Sequence, residues 1–119
     1  MIEFLCAECG VAITRSLEPL APDAICYSDG KAAIPKGTYA RSINDYWTGS
    51  EGCFLVNLDD LVDVSYHPDT RRHNGCCGRD GCDGPNRICR NGHEVGTERS
   101  DCWMAHAMVL IPTIRWQER

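Results

Sequence analysis

Nine cysteines in a chain of 119 residues limit what it can fold into more than any other feature. An odd number of thiols cannot pair completely within one chain, so the disulfide framework of small secreted domains fits poorly. Cys6 and Cys9 stand in the run Cys6-Ala7-Glu8-Cys9-Gly10. Two thiolates at this spacing reach one metal ion from a tight turn, and the glycine that follows supplies the positive φ such turns need. Redox pairs share the Cys-x-x-Cys spacing, but a thioredoxin-like pair needs a βαβ unit and none surrounds this one. Cys26 and Cys53 are solitary beside apolar or aromatic residues and read as small buried hydrophobes.

A structural zinc takes four ligands, so two more are needed. The segment Cys89-Arg90-Asn91-Gly92-His93 reads as a second knuckle, ahead of a strand-like Glu94-Val95-Gly96-Thr97. It offers Cys89 as the third ligand and His93, at Cys-x-x-x-His spacing, as a fourth. Cys77 is the alternative fourth ligand, and Cys76, Cys82 and Cys102 compete for the same place.

Residues 73–86 carry four glycines, three thiols and two aspartates. A loop so free in the unfolded chain is costly to order without a compensating interaction. Metal is one: a loop thiol completes the first zinc site, or shares a second one with Cys102 and His106. Calcium at Asp80, Asp83 and Asn86 is disfavoured, because the run lacks the register and terminal Glu of an EF-hand.

Apolar and β-branched runs bounded by turn residues predict strands over 2–5, 11–15, 53–58, 61–66 and 108–116, with one helical turn at 57–60. Helical spacing is visible only across 102–109, where it would put the Cys102 thiol and the His106 imidazole on one helix face. The expected fold is mostly β, a small single domain over residues 1–119 with long loops at 16–36 and 67–86 that need anchoring. The longest aliphatic run, residues 109–111, is far short of a membrane span, and an acid near the start replaces the basic region of an export signal. A cytoplasmic protein with no membrane partner is expected. Net charge is −5, with four basic and nine acidic side chains in residues 1–60 against eight of each in 61–119. That balance disfavours general nucleic-acid binding.

The run Phe4-Leu5-Cys6-Ala7-Glu8-Cys9-Gly10, residues 72–84 and the ending over residues 94–103 resemble a family of small uncharacterised bacterial zinc-knuckle proteins, which carries no transferable activity. In that family's pattern a second Cys-x-Cys-Gly knuckle follows the glycine loop; here Asn91 stands where its second thiol would be. Two knuckles around a β-rich insert fit a small zinc-ribbon or β-tent-like fold and resemble the β-tent architecture shared by methionine sulfoxide reductase B, Mss4-like proteins, Yippee proteins and the thalidomide-binding domain of cereblon. That likeness implies a structural zinc joining two sheets.

The expected function is a non-enzymatic module with structural Zn2+ that binds a small ligand or a protein partner, with Trp47, Trp103 and Trp116 as recognition residues if they are not core. The alternative is a thiol-dependent redox enzyme using Cys102 with His106. Against it, the Arg-x-Cys-x-Asn motif of methionine sulfoxide reductase B is missing and Asp101 adjoins the thiol. No His-x-x-x-His or deaminase pattern supports a catalytic zinc.

Overall fold

Turn residues interrupt the chain every few positions, and the strands between them are short. The computed structural model describes residues 1–43 and 46–119. Within them the strands are β1 (Ile2–Leu5), β2 (Glu18–Pro19), β3 (Thr38–Arg41), β4 (Phe54–Val56), β5 (Val64–Tyr66), β6 (Arg87–Cys89), β7 (Glu94–Arg99), β8 (Ala107–Leu110) and β9 (Arg115–Glu118). The helical pieces among the described residues are single 3-10 turns at Pro22–Ala24, Leu58–Asp60 and Thr70–Arg72. The mostly β expectation holds.

Strands β1 and β9 form an antiparallel ribbon in which Ile2 faces Glu118 and Leu5 faces Arg115. The other strands make one mixed sheet in the order β2-β3-β4-β8-β7-β6-β5, antiparallel except for the β2–β3 pair. The central strands β4 and β8 are buried on both faces, because successive side chains point to opposite sides of a sheet. Phe54, Val56, Met108 and Leu110 pack toward the ribbon with Ile2, Phe4, Ile13 and Leu17. Leu55, Ala107 and Val109 pack away from it, against Ile25, Ala33 and Ile34. Two thin cores thus share one sheet. The radius of gyration, 13.0 Å, is that of one compact body.

Several boundaries differ from those expected. The 108–116 run breaks at Pro112, which lacks a donor, and the turn closes with Ile114 N–H donating to the Ile111 carbonyl at 3.1 Å. Residues 11–15 make only isolated bridges, Ala12 to Leu5 and Thr14 to Leu61. No helix forms across 102–109: Cys102 sits in a turn and Ala107–Leu110 is the central strand β8. Cys102 and His106 therefore do not share a helix face, and pairing on both edges of β8 outweighs the weak helical spacing. Cys53 is buried as expected, whereas Cys26 is only half-buried.

The long loops are pinned by polar contacts. Asp60, fully buried, accepts from Arg15 and from Gly37 N–H, at 2.7 Å for the latter, and so ties the end of the 16–36 loop to the sheet. In the 67–86 loop, Asn86 exchanges two hydrogen bonds with the Glu98 backbone, and Arg87 donates to the Glu98 carboxylate at 2.5 Å. Tyr66 is covered by the Arg79 and Arg87 guanidiniums at 3.7 and 4.3 Å from its ring centre.

Candidate metal centre

The two knuckles are built alike. After β1, Cys6 N–H donates to the Val11 carbonyl and Gly10 N–H returns to the Cys6 carbonyl, both at 2.9 Å, with Gly10 at φ 76°. At the end of β6, Cys89 N–H donates to the His93 carbonyl and Gly92 N–H to the Cys89 carbonyl, again at 2.9 Å, with Gly92 at φ 85°. Each glycine adopts a left-handed conformation that costs a side-chain-bearing residue strain. Both turns aim their chemistry into the seam between ribbon and sheet.

There the structure brings Cys6, Cys9, Cys89 and His93 together, with their donor atoms all within 4.8 Å of one another. The Cys9 and Cys89 sulfurs are 3.8 Å apart, and His93 Nδ1 is 3.7 Å from the Cys6 sulfur and 3.6 Å from that of Cys89. A tetrahedral ion with bonds of about 2.3 Å to sulfur and 2.05 Å to nitrogen needs edges of about 3.8 Å between sulfurs and 3.6 Å between sulfur and nitrogen. Three of the six edges therefore already match a four-coordinate site, the others lie within 4.8 Å, and the group can hold a metal ion. Cys6 and Cys89 are buried in the core, His93 is half-buried and Cys9 is exposed.

Asn91 has a role the spacing did not reveal. Its backbone N–H points at the Cys89 sulfur at 3.4 Å, and its side-chain amide donates to the Cys9 sulfur at 3.2 Å. Standing where a second thiol was expected, it serves two sulfurs instead of adding one. The Asn91 amide, helped by Val11 N–H, holds the Cys9 thiol down to about 6. Burial opposes ionisation of Cys89, but the N–H groups of His93 and Asn91 outweigh it and keep that thiol below its ordinary value. Burial pushes the Cys6 thiol up. The Cys9 thiolate is thus available near neutrality, and the Cys89 thiol is biased toward the thiolate, the form a metal binds. Asn91→Ala is expected to weaken metal binding by about 10- to 100-fold, as losses of a ligand's hydrogen-bond partner generally do. Competition with a chromophoric chelator measures this, and an unchanged affinity would show that the amide contributes nothing.

Cys77, the alternative fourth ligand, lies elsewhere. It forms a second group with Cys76 and Cys102, all three exposed and with sulfurs within 4.8 Å of one another. Their backbones converge on Asp101. Its Oδ1 accepts from Cys77 and Cys102 N–H at 2.9 and 2.7 Å, and its Oδ2 from Cys76 N–H and Trp103 Nε1 at 2.8 and 3.0 Å. Cys77 N–H first, then Cys76 N–H, holds the Asp101 carboxyl far below its ordinary range. Cys77, burial and Asp101 push the Cys102 thiol up to about 12. His106 gives Cys102 no help, because its Nε2 bonds the Asp101 carbonyl at 2.9 Å. Cys82 belongs to neither group; its backbone N–H caps Asp80 at 2.9 Å.

The sequence also did not reveal Arg99. It is buried at 5% exposure, lies 4.2 Å over the Trp47 ring, and donates to the Asp80 carbonyl at 3.0 Å. Its Nε has no hydrogen-bond partner, and no carboxylate among the described residues pairs with it. It lines a pocket of about 200 Å³ with Tyr27, Tyr46 and Trp103. Trp103 and Trp116 are half exposed rather than core residues. No helix among the described residues is long and apolar enough to cross a membrane.

No protein-family model, curated protein or solved structure matches this chain, and no named family is supported.

Proposed function

We propose that Cys6, Cys9, Cys89 and His93 hold a structural Zn2+ and that the domain is a non-enzymatic binding module built around it. The near-tetrahedral edges measured between donors drawn from knuckles 80 or more residues apart carry this reading. Three sulfurs and one imidazole suit zinc, and four protein donors leave no open position for substrate or water. The ion would join the β1–β9 ribbon to the larger sheet, as the β-tent likeness implies. A reducing compartment, the cytoplasm, keeps such thiols free for metal.

The recognition surface of such a module would be the Arg99 pocket. A buried guanidinium with no carboxylate partner among the described residues, flanked by aromatic rings in a pocket that Asp29 also lines, suits a compact anionic group on a small ligand or a protein partner. The thiol-enzyme alternative at Cys102 is not favoured, since its thiol is pushed away from the nucleophilic form and no imidazole faces it. Native mass spectrometry of the reduced protein is expected to find one zinc per chain at this site, lost in Cys89→Ser. Calorimetric titration of the zinc form with inorganic phosphate and short carboxylates is expected to give binding that Arg99→Met removes. A folded protein that takes up no zinc would refute the first part, and silence toward every anion would refute the second.

A further inference from the structure

The Cys76, Cys77 and Cys102 group plays no part in the zinc reading. Its three sulfurs come from two segments some 25 residues apart, and a single buried carboxylate gathers the backbone of all three residues. Two glycines make that gathering possible. A Cβ on Gly78 would lie 2.2 Å from the Ser100 carbonyl oxygen, and one on Gly75 would lie 2.9 Å from Asp101 Oδ2. The loop therefore lies directly on the Ser100-Asp101 backbone, and its thiols are held together at the surface.

The donor inventory stops at three. Both Asp101 oxygens are already taken by two N–H groups each, so the carboxylate is spent as a potential ligand. The His106 imidazole is bonded to a backbone carbonyl, and His73 is held on both nitrogens, by Arg79 and by the His67 carbonyl. A structural zinc closes its shell with four protein ligands, whereas an all-thiolate set selects soft ions. Three exposed sulfurs with no oxygen or nitrogen donor suit a soft ion that accepts three-coordination.

We propose that Cys76, Cys77 and Cys102 form a second metal site, an open three-thiolate site for monovalent copper. Binding exchanges thiol protons for the ion, and the protons pass to solvent. The exposed sulfurs permit rapid entry and transfer to another thiol carrier, which fits a surface site better than a structural one. The proposal is independent of the zinc reading, because the two metals are counted separately.

The test is an anaerobic titration of reduced, zinc-loaded protein with Cu(I) buffered by bathocuproine disulfonate, reading copper and zinc per chain. The first copper equivalent is expected to bind without zinc release. Cys102→Ser is expected to weaken it by about 100-fold or more, since losing a ligand costs at least what losing its supporting partner does. The zinc count should remain at one, while Cys82→Ser leaves copper binding unchanged. X-ray absorption at the copper edge of the unmutated protein should show three sulfur neighbours, which keeps the proposal testable if the variant misfolds. Displacement of zinc by the first equivalent, unchanged binding in Cys102→Ser, a second zinc on these thiols in preference to copper, or a nitrogen neighbour at copper would each overturn it.

Discussion

Excess EDTA at neutral pH should unfold the domain cooperatively, and zinc added back under reducing conditions should restore it. The expectation follows from where the four donors sit. Cys6 and Cys89 are members of the ribbon-side core with Phe4, Val56 and Val95, so the proposed ion lies against the apolar packing that joins the two sheets. That core is thin, and much of the remaining chain is loop. Structural zinc supplies an apparent 10–16 kcal/mol, about as much as the whole stability of 5–15 kcal/mol typical of a domain. Without the ion, His93 and the Cys6, Cys9 and Cys89 thiols stay crowded at tetrahedral spacing with no charge to bring them together. Near-ultraviolet circular dichroism and tryptophan fluorescence would follow the transition. A metal-free protein whose melting temperature stays within a few degrees of the zinc form would show that the apolar cores suffice.

The Cys6, Cys9, Cys89 and His93 group was legible because each half of it is local. Cys6-x-x-Cys9-Gly10 and Cys89-x-x-Gly92-His93 each close a turn within five residues, and thiolate spacing leaves few alternatives. That the two halves meet was an inference from ligand number, and the fold brings them to one seam. Strands β4 and β5 were legible from β-branched and apolar runs. Strand β3 was missed, since Thr38–Arg41 carries no run and is set by its partners, Glu18–Pro19 and Phe54–Val56. The helical reading of 102–109 failed for a general reason. A central strand buried on both faces reads as continuous apolar sequence, which periodicity alone cannot distinguish from a helix. The purpose of the glycine loop was hidden as well, because what the glycines accommodate, the Ser100-Asp101 backbone, lies about twenty residues away.

Asp101→Asn is expected to release that loop while leaving the Cys6, Cys9, Cys89 and His93 group intact. The carboxylate accepts four N–H groups through two oxygens. An asparagine has one carbonyl oxygen, and its amide would turn two donors toward N–H groups that are donors themselves. At least two charge-assisted hydrogen bonds would be lost, enough to raise the open population of the loop roughly a hundredfold or more. Trypsin cleavage after Arg79 reads that population directly when opening is fast. The pH dependence separates charge from shape. Because folding depresses the Asp101 carboxyl, its stabilisation is fully present above the unfolded value of about 3.9 and is lost only as pH falls through the still lower folded value. From neutrality down to about pH 5 the unmutated loop should therefore stay closed to protease, whereas the Asn variant should be open throughout. Gly78→Ala should open the loop with the pH profile of the unmutated protein, since it displaces the loop from Ser100 without touching the charge. Equal cleavage of the unmutated protein and Asp101→Asn would mean that Asp101 does not hold the three thiols in place.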